Sequence, residues 1–454
     1  MREETTRLMN NIHRSSTTGW SLLIRNARVA QPDGSLVNAD VFCNAGRIER
    51  IALSLSTRAD ENIDAGGHVL LPGVIDPQVH FREPGKEYKE DLASGSRAAV
   101  AGGVTSFLEM PNTDPSTTTQ AALDDKLKRA ATKSVANYGF FIGATPDNLE
   151  ELNRAAPACG IKIFMGASTG SLLVNDPKDL ERIFANGTRL IAVHAEDEAR
   201  INARKAQLAG RTDIAAHSEI RDAECAMLAT QLALSLSKKY RRRLHILHLS
   251  TKEEARLLRQ DKPAWVTAEV IPNHLFLNVD DYATQGSRVQ MNPPIRTAQD
   301  NAELWQALRD GVIDFVATDH APHTLEEKSQ PYPKSPSGMP GVELSLPLML
   351  TAMAAKRCTL AEIQRWMCYG PAEAYGIRNK GKIIEGWDAD LTLVDLDARR
   401  VVRDEDTFTK VRWSPYRGRE LTGWPLYTIV NGRVVFERGR VREGVTGKPL
   451  TFEP

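Results

Sequence analysis

Residues 69 to 85 read Val-Leu-Leu-Pro-Gly-Val-Ile-Asp-Pro-Gln-Val-His-Phe-Arg-Glu-Pro-Gly, an apolar run followed at once by polar and charged side chains. The apolar part is typical of a buried strand that ends near Asp76. Positions i and i+2 of a strand share a face, so Gln78 and His80 are expected side by side. The stretch therefore predicts a buried strand whose end directs polar groups at one point.

The middle of the chain repeats this arrangement of an apolar run with a polar end. Segments of helical composition lie between most of the runs, and Asp176 before Pro177 is typical of a helix start. The alternation predicts an α/β fold, a parallel (β/α)8 barrel of the TIM type, with a doubly wound sheet as the alternative. The apolar runs are 74–75, 104–110, 138–144, 161–165, 190–193, 244–249, 265–271 and 313–318.

Both ends of the chain contain short strand patterns separated by turn residues. A Pro-Asp-Gly turn at 32–34 follows an apolar run, and Asn431-Gly432 divides a hairpin. We predict that residues 19–72 and 376–454 form one small β-sandwich domain built from both chain ends. Residues 73–375 would then form the barrel, and residues 1–18 a polar tail.

Composition limits the class of protein and of partner. Lys and Arg total 58, as do Asp and Glu, so net charge favours neither nucleic acid nor a membrane surface. No apolar stretch approaches the roughly 18 to 20 residues that span a bilayer, and residues 1–18 lack an apolar signal core. Five scattered cysteines without a C-x-x-C pair indicate reduced core residues. We therefore expect a cytoplasmic protein with a small-molecule partner.

Several runs of the predicted barrel carry a side chain that can bind a metal ion. These side chains are His80, Lys162, His194, His248 and Asp319. In a barrel the C-terminal ends of the strands meet at one mouth, where the chemistry collects. Imidazole and carboxylate ligands suit a divalent ion of the zinc type. Asp319 could in addition accept a proton from a water that the cation activates.

Strand parity separates two neighbouring histidines. His245 and His248 are three residues apart, so only one of them can point into the barrel from a regular strand. We expect His248 to be the ligand because it is nearer the strand end. His245 is then expected to pack towards the helix layer.

Lys162 has two interpretations. It lies between the apolar residues Ile161 and Ile163, where an unpaired charge would be costly to bury. It is therefore either a surface lysine that extends its amine to water or a functional group beside a metal ion. In the second case, carbamylation by CO₂ would convert the amine into a carboxylate able to bridge two cations.

Five motifs together resemble the dihydroorotases of the amidohydrolase superfamily. They are Asp-Pro-Gln-Val-His-Phe-Arg-Glu-Pro-Gly (76–85), Ala-Gly-Gly-Val-Thr-Ser-Phe-Leu-Glu-Met-Pro-Asn-Thr (101–113), Lys-Ile-Phe-Met-Gly-Ala-Ser-Thr-Gly (162–170), His-Ile-Leu-His-Leu-Ser-Thr (245–251) and Ala-Thr-Asp-His-Ala-Pro-His (317–323). The resemblance runs from about residue 20 to the C-terminus. It implies a metal-dependent barrel enzyme that interconverts L-dihydroorotate and N-carbamoyl-L-aspartate in pyrimidine synthesis.

The resemblance also implies one or two Zn²⁺ ions. The first site would be held by His80, Lys162 and Asp319, with Gln78 where relatives carry a second histidine. The other site would be complete, with Lys162, His194 and His248 as its ligands. Because an amide oxygen is a weaker zinc ligand than imidazole, we expect Gln78 to weaken the first site.

The residues that the resemblance implies for the substrate are intact. Arg82 matches the guanidinium that clamps the substrate carboxylate, a planar cation suited to bidentate pairing. Asn112 and His323 match groups that share this task, and Asn292 matches a residue near the ring. Asp319 is the implied catalytic residue, which passes a proton to the leaving nitrogen. The loop at 324–340 is long enough to cover the mouth of the site.

Two other functions remain open. An allantoinase or hydantoinase would share the barrel and most ligands, although Arg82 and Asn112 suit a substrate carboxylate that hydantoins generally lack. A catalytically impaired homologue could instead act as a partner of aspartate carbamoyltransferase. Related enzymes are usually homo-oligomers, so the resemblance implies a dimer or a tetramer.

Overall fold

The structure, a computed structural model, describes residues 19–168 and 172–453. The predicted polar tail at residues 1–18 lies outside the described residues. Five strands precede the barrel: β1 (Ser21–Ala30), β2 (Leu36–Asn44), β3 (Arg47–Ala52), β4 (Glu61–Asp64) and β5 (Val69–Pro72).

The next strands form a parallel barrel. They are β6 (Val74–Val79), β7 (Val104–Glu109), β8 (Asn137–Phe140), β9 (Ile142–Gly143), β10 (Ile161–Phe164), β11 (Ile191–His194), β12 (Leu244–Ile246), β13 (Val266–Val270) and β14 (Phe315–Val316). All neighbouring pairs are parallel, and β8 and β9 are consecutive parts of one strand interrupted at Phe141. The barrel closes where the His80 amide donates to the His320 carbonyl at 2.7 Å. The predicted (β/α)8 barrel is confirmed.

Helices follow most of the barrel strands. They are α1 (Leu92–Ala101), α2 (Gln120–Lys133), α3 (Leu149–Arg154), α4 (Pro177–Ala185), α5 (Glu198–Gln207), α6 (Ala215–Ile220), α7 (Ala223–Tyr240), α8 (Lys252–Asp261), α9 (Pro272–Phe276), α10 (Tyr282–Gln285), α11 (Ala298–Arg309), α12 (Leu325–Lys328), α13 (Ser345–Ala354), α14 (Leu360–Gln364) and α15 (Gly370–Tyr375). The predicted helix start at Asp176 is confirmed, because its carboxylate accepts the Lys178 amide at 2.8 Å.

The C-terminal strands join the N-terminal ones in a single sheet. They are β15 (Leu391–Val401), β16 (Glu420–Val430), β17 (Arg433–Glu437) and β18 (Arg440–Val441). The nine-stranded sheet runs in the order β18-β17-β16-β15-β5-β1-β2-β3, with β4 beside β1. β5 and β15 pair antiparallel, with Leu71 opposite Thr392. The fold class is therefore the predicted one, a barrel with a small β domain from both chain ends.

The last residues of the described chain contact the barrel. The Leu450 amide donates to the Tyr138 carbonyl at 2.8 Å, and Leu450 packs with Phe141 and Tyr375 in one apolar cluster. This segment extends beyond the sheet, and the domain boundaries given above stay a prediction.

Two further features bear on the type of protein. All five cysteines are buried and free, as the sequence predicts. Among the described residues, the helices are all too short or too polar to cross a bilayer.

Candidate active site

One pocket lies at the C-terminal ends of the barrel strands. It contains every predicted site residue except His323, which lies behind Arg82, with its Nε2 atom 3.4 Å from an Arg82 guanidinium nitrogen. The barrel topology has thus brought together side chains that are far apart in the sequence. The lining residues are Gln78, His80, Arg82, Asn112, Lys162, Phe164, Ser168, His194, His248, Asn292, Asp319, Ala321, Ser337 and Gly338.

His80 and Asp319 form the first pair of donors. The His80 Nε2 atom lies 3.0 Å from Oδ1 of Asp319, and His80 Nδ1 lies 2.8 Å from Oδ1 of Asn112. Because an amide oxygen can only accept, Nδ1 carries the hydrogen and Nε2 presents its lone pair beside the carboxylate. This is the protonation state that a metal ligand needs.

Gln78 lies beside this pair, as strand parity predicts. Its Nε2 atom donates to Oδ1 of Asp319 at 3.0 Å. Its Oε1 atom is buried and has no hydrogen-bond partner among the described residues. Burying an oxygen without a hydrogen-bond donor costs free energy. The Oε1 atom is therefore suited to contact a cation or a hydrogen-bond donor of a ligand.

His194 and His248 form the second pair. The Nδ1 atom of His194 lies 3.0 Å from Nε2 of His248. On the far side of the ring, His194 Nε2 donates to Oε2 of Glu196 at 2.9 Å, and Glu196 also pairs with Arg221. Burial lowers the pKa of both imidazoles, which keeps their lone pairs available. A carboxylate behind a histidine is the arrangement that orients metal-binding imidazoles.

Lys162 is buried, only 1 % exposed, and its amine lies 4.4 Å from the centre of the Phe164 ring. The interpretation as a surface lysine is therefore wrong. Burial lowers the pKa of the amine to about 7. A part of the population is then the neutral amine, which is the form that reacts with CO₂.

The donors fit a metal centre of the predicted kind, although they are split into two pairs. Among the described side chains, no group of three or more His, Cys, Asp or Glu lies close enough to hold an ion. Each pair would supply two ligands, and a carboxylate on Lys162 would add a further one. The orphaned Oε1 atom of Gln78 adds a neutral oxygen on the side of His80.

The expectation that His245 packs towards the helix layer is wrong. Its ring stacks on Phe315 at 4.8 Å, and its nitrogens contact Thr267 at 2.8 Å and Glu269 at 3.0 Å. Both partners of the ring nitrogens lie on β13, and His245, Glu269 and Phe315 are all fully buried, with Thr267 partly exposed. The parity argument fails because β12 ends at Ile246 and His248 has a positive φ of 37°. The bend turns His248 inward as well.

Arg82 carries a buried positive charge at this pocket. It is 4 % exposed and has a positive φ of 66°. Its Nε atom donates to the Pro322 carbonyl at 3.2 Å, but no carboxylate of the described chain lies within salt-bridge distance of its guanidinium. Burial accordingly lowers the pKa of Arg82, to about 10. An unpaired buried guanidinium facing a pocket is suited to a ligand carboxylate.

The sequence did not reveal several contacts made by carboxylates around the site. Glu196 contacts His194, Glu269 accepts the His248 amide at 3.4 Å, and Oε1 of Glu109 accepts the Phe81 amide at 3.1 Å. The one available signal is spacing, since Glu196 follows His194 by two positions. For the other two, the partner is on a different strand and only the fold reveals the contact.

Comparison with known proteins agrees with this geometry. Residues 69–435 match the amidohydrolase family. A dihydroorotase of Methanosarcina mazei is 36% identical over 442 residues, covering 94% of this chain and 95% of the relative. A dihydroorotase of Halobacterium salinarum is 37% identical over 423 residues, covering 91% of this chain and 96% of the relative.

The fold is also similar to that of a solved enzyme. The L-hydantoinase (dihydropyrimidinase) from Arthrobacter aurescens superposes with a TM-score of 0.91 and 33% identity, covering 95% of this chain and all of that one. Sequence and structure thus agree on one family of hydrolases. The chain belongs to the amidohydrolase family.

Proposed function

We propose that this enzyme is a dihydroorotase, which reversibly hydrolyses the cyclic amide of L-dihydroorotate to N-carbamoyl-L-aspartate. The observation that carries the proposal is Arg82, a buried guanidinium without a carboxylate partner in the described chain, on the same pocket as the metal-donor pairs. Dihydroorotate carries a carboxylate on its ring and would supply the missing charge. The dihydroorotases among the relatives support the same substrate.

The proposal includes one or two zinc ions. His194 and His248, with a carbamylated Lys162, would hold one ion, and His80 with Asp319 and the same lysine would hold the other. Gln78 would be a weak ligand of the ion held by His80 and Asp319. A zinc ion supplies Lewis acidity, which polarises an amide carbonyl and lowers the pKa of water towards neutrality.

The side chains of this enzyme have separate tasks in the reaction. Arg82 would pair with the substrate carboxylate, and Asn112, Asn292 and His323 would complete the polar surroundings of the ring. Asp319 would take the proton from the attacking water and deliver it to the ring nitrogen as the amide bond breaks. In ring closure the same carboxylate would remove that proton.

The surroundings of Asp319 suit this task. Gln78 Nε2 and His80 Nε2 both lie 3.0 Å from its Oδ1 atom, which leaves Oδ2 as the oxygen for the proton. Asp319 also has a positive φ of 48°, so its position at the strand end is a constrained one.

A hydantoinase is the second candidate, and the similarity to the Arthrobacter aurescens enzyme favours it. The discriminating feature is again Arg82, because a hydantoin without a carboxylate would leave this cation buried and unpaired. Leaving the guanidinium unpaired would cost about 1 to 3 kcal/mol of the binding free energy of such a substrate.

The test is a turnover panel on the zinc-loaded protein with dihydroorotate, allantoin and hydantoin as substrates. We expect hydrolysis of dihydroorotate, and a large rise in its KM in Arg82→Met. Activity on allantoin or hydantoin alone would contradict the proposal. An absence of both metal binding and hydrolysis would favour the partner of aspartate carbamoyltransferase.

Three wider expectations belong to the same proposal. Activity on dihydroorotate would assign the enzyme to pyrimidine synthesis. The five buried free cysteines support a reducing compartment, such as the cytoplasm. A dimer or tetramer is expected from the resemblance to related enzymes, and sedimentation would measure it.

A further inference from the structure

Lys89 is a buried cation directly behind the proposed carboxylate clamp. It is 6 % exposed, and its amine lies 2.8 Å from Nδ1 of His323. The same amine lies 2.9 Å from a Glu327 carboxylate oxygen, which Tyr88 also contacts through its hydroxyl at 3.0 Å. Burial lowers the pKa of the Lys89 amine, and the ion pair with Glu327 opposes this shift and favours the ammonium form.

The contacts with Lys89 and with the Ser337 carbonyl together determine which nitrogen of the neutral His323 ring carries the hydrogen. An ammonium group has three donors and no acceptor, so Nδ1 of His323 must accept. The hydrogen of the neutral ring is then on Nε2, which lies 3.0 Å from the Ser337 carbonyl. Without the ammonium, Nδ1 could carry the hydrogen and direct it at Oε2 of Glu327, 3.6 Å away, and Nε2 would then become an acceptor for Arg82.

The orientation of His323 matters because Nε2 is next to Arg82. The two groups are 3.4 Å apart, and since both are donors, neither satisfies the other. The Nε2 hydrogen is directed at the Ser337 carbonyl, so the ring accepts nothing from Arg82 and leaves the guanidinium to a ligand in the pocket that Arg82 lines. Lys89 and Arg82 flank the imidazole with two positive charges, and Glu327 pairs with Lys89 and also lies 3.6 Å from Nδ1 of the imidazole. The arrangement suits an anionic group and disfavours a neutral one.

We propose that Lys89 is a positioning residue that fixes His323 as a hydrogen-bond donor beside Arg82 and thereby selects ring substrates that carry a carboxylate. The inference rests on the proposed function. It predicts that Lys89 affects the substrate carboxylate and has little effect on the ring amide, which is hydrolysed at the metal-donor pairs.

The test compares two rings that differ only in the carboxylate, dihydroorotate and 5,6-dihydrouracil. In Lys89→Met we expect kcat/KM for dihydroorotate to fall roughly tenfold or more, mainly through KM, as for a lost charge-assisted hydrogen bond. The kcat/KM for dihydrouracil should be unchanged. If dihydrouracil is not hydrolysed, its inhibition constant against dihydroorotate should be unchanged instead. Lys89→Gln retains a donor and should recover part of the loss.

Tyr88→Phe is the matched control, because it removes the neighbouring contact with Glu327 and leaves Lys89 in place. It should leave the ratio between the two substrates unchanged. An equal loss on both substrates in Lys89→Met, or no loss on either, would overturn the role of Lys89. Failure of the proposed function would be seen separately, as an unmodified enzyme that does not hydrolyse dihydroorotate.

Discussion

The side-chain amide of Gln78 donates to Oδ1 of Asp319 at 3.0 Å, the same oxygen that lies 3.0 Å from Nε2 of His80. Gln78 therefore stabilises the carboxylate through its N–H group, while its own oxygen remains buried without a partner in the described chain. A second imidazole at this position would offer a lone pair to a cation. The amide instead offers a weaker oxygen, which confines the expected effect to the proposed first metal site.

Restoring the imidazole should therefore strengthen the first site. We expect Gln78→His to bind more zinc per chain than the unmodified protein, as measured by elemental analysis after dialysis against a fixed zinc concentration. The rate of dihydroorotate hydrolysis should change with the metal content, because an additional Lewis acid polarises the substrate.

Gln78→Leu is the control for this experiment. It removes the amide without supplying an imidazole, so its metal content should not exceed that of the unmodified protein. If Gln78→His changes neither metal content nor rate, the explanation of the first site is wrong.

Glu196 gives a second prediction, about the other donor pair. It accepts the Nε2 hydrogen of His194 at 2.9 Å and thereby aims Nδ1 at His248. We expect Glu196→Gln to weaken zinc binding about 10- to 100-fold, measured by competition with a chromophoric chelator. Glu224→Gln, which alters an exposed carboxylate paired with Arg200, should leave the affinity unchanged. If Glu196→Gln and Glu224→Gln bind zinc with equal affinity, Glu196 does not orient His194 for metal binding.

The barrel was predictable because its signals are local. Each apolar run lies next to its own helix, and the C-terminal strand ends of such a barrel meet at one mouth. His80, His194 and Asp319 could therefore be assigned to one site from the sequence. The positions of these three residues at their strand ends were sufficient for that step.

Contacts between distant residues were not predictable in the same way. Lys89 and His323 are 234 positions apart, and nothing in either segment indicates the other. His245 was misassigned because strand parity assumes a regular strand, whereas the chain bends at His248. The sequence thus indicates which residues reach the site, but the contacts that orient them depend on the packing of neighbouring strands.

Glu343 predicts a pH dependence of stability. Burial raises the pKa of its carboxyl from 4.5 to about 8, although the Phe408 amide donates to it at 2.7 Å. The folded protein thus holds a proton that the unfolded chain releases above about pH 4.5. Its contribution to stability is complete below that pH and is lost as the pH rises through about 8.

Glu343→Gln should remove this dependence, because an amide has no proton to lose and its oxygen can still accept from Phe408. We expect the variant to melt about 2 °C or more above the unmodified protein at pH 9, and at a similar temperature near pH 5. Scanning calorimetry at both pH values measures this. The same change at the exposed Glu405 should shift neither value, and a difference that is equal at both pH values would contradict the assignment.

Lys126 and Glu109 form a fully buried ion pair at 2.7 Å, and Glu109 also accepts the amide of Phe81, between His80 and Arg82. Lys126→Met would leave the carboxylate buried without its cation, so we expect a loss of about 3 to 5 kcal/mol in the free energy of unfolding, measured by urea titration. The double variant Lys126→Met/Glu109→Gln removes both charges and keeps an acceptor for Phe81, so it should recover much of that loss. Lys128→Met, on the exposed side of the same helix, is the control. If Lys126→Met loses no more free energy of unfolding than Lys128→Met, the buried pair contributes nothing to stability.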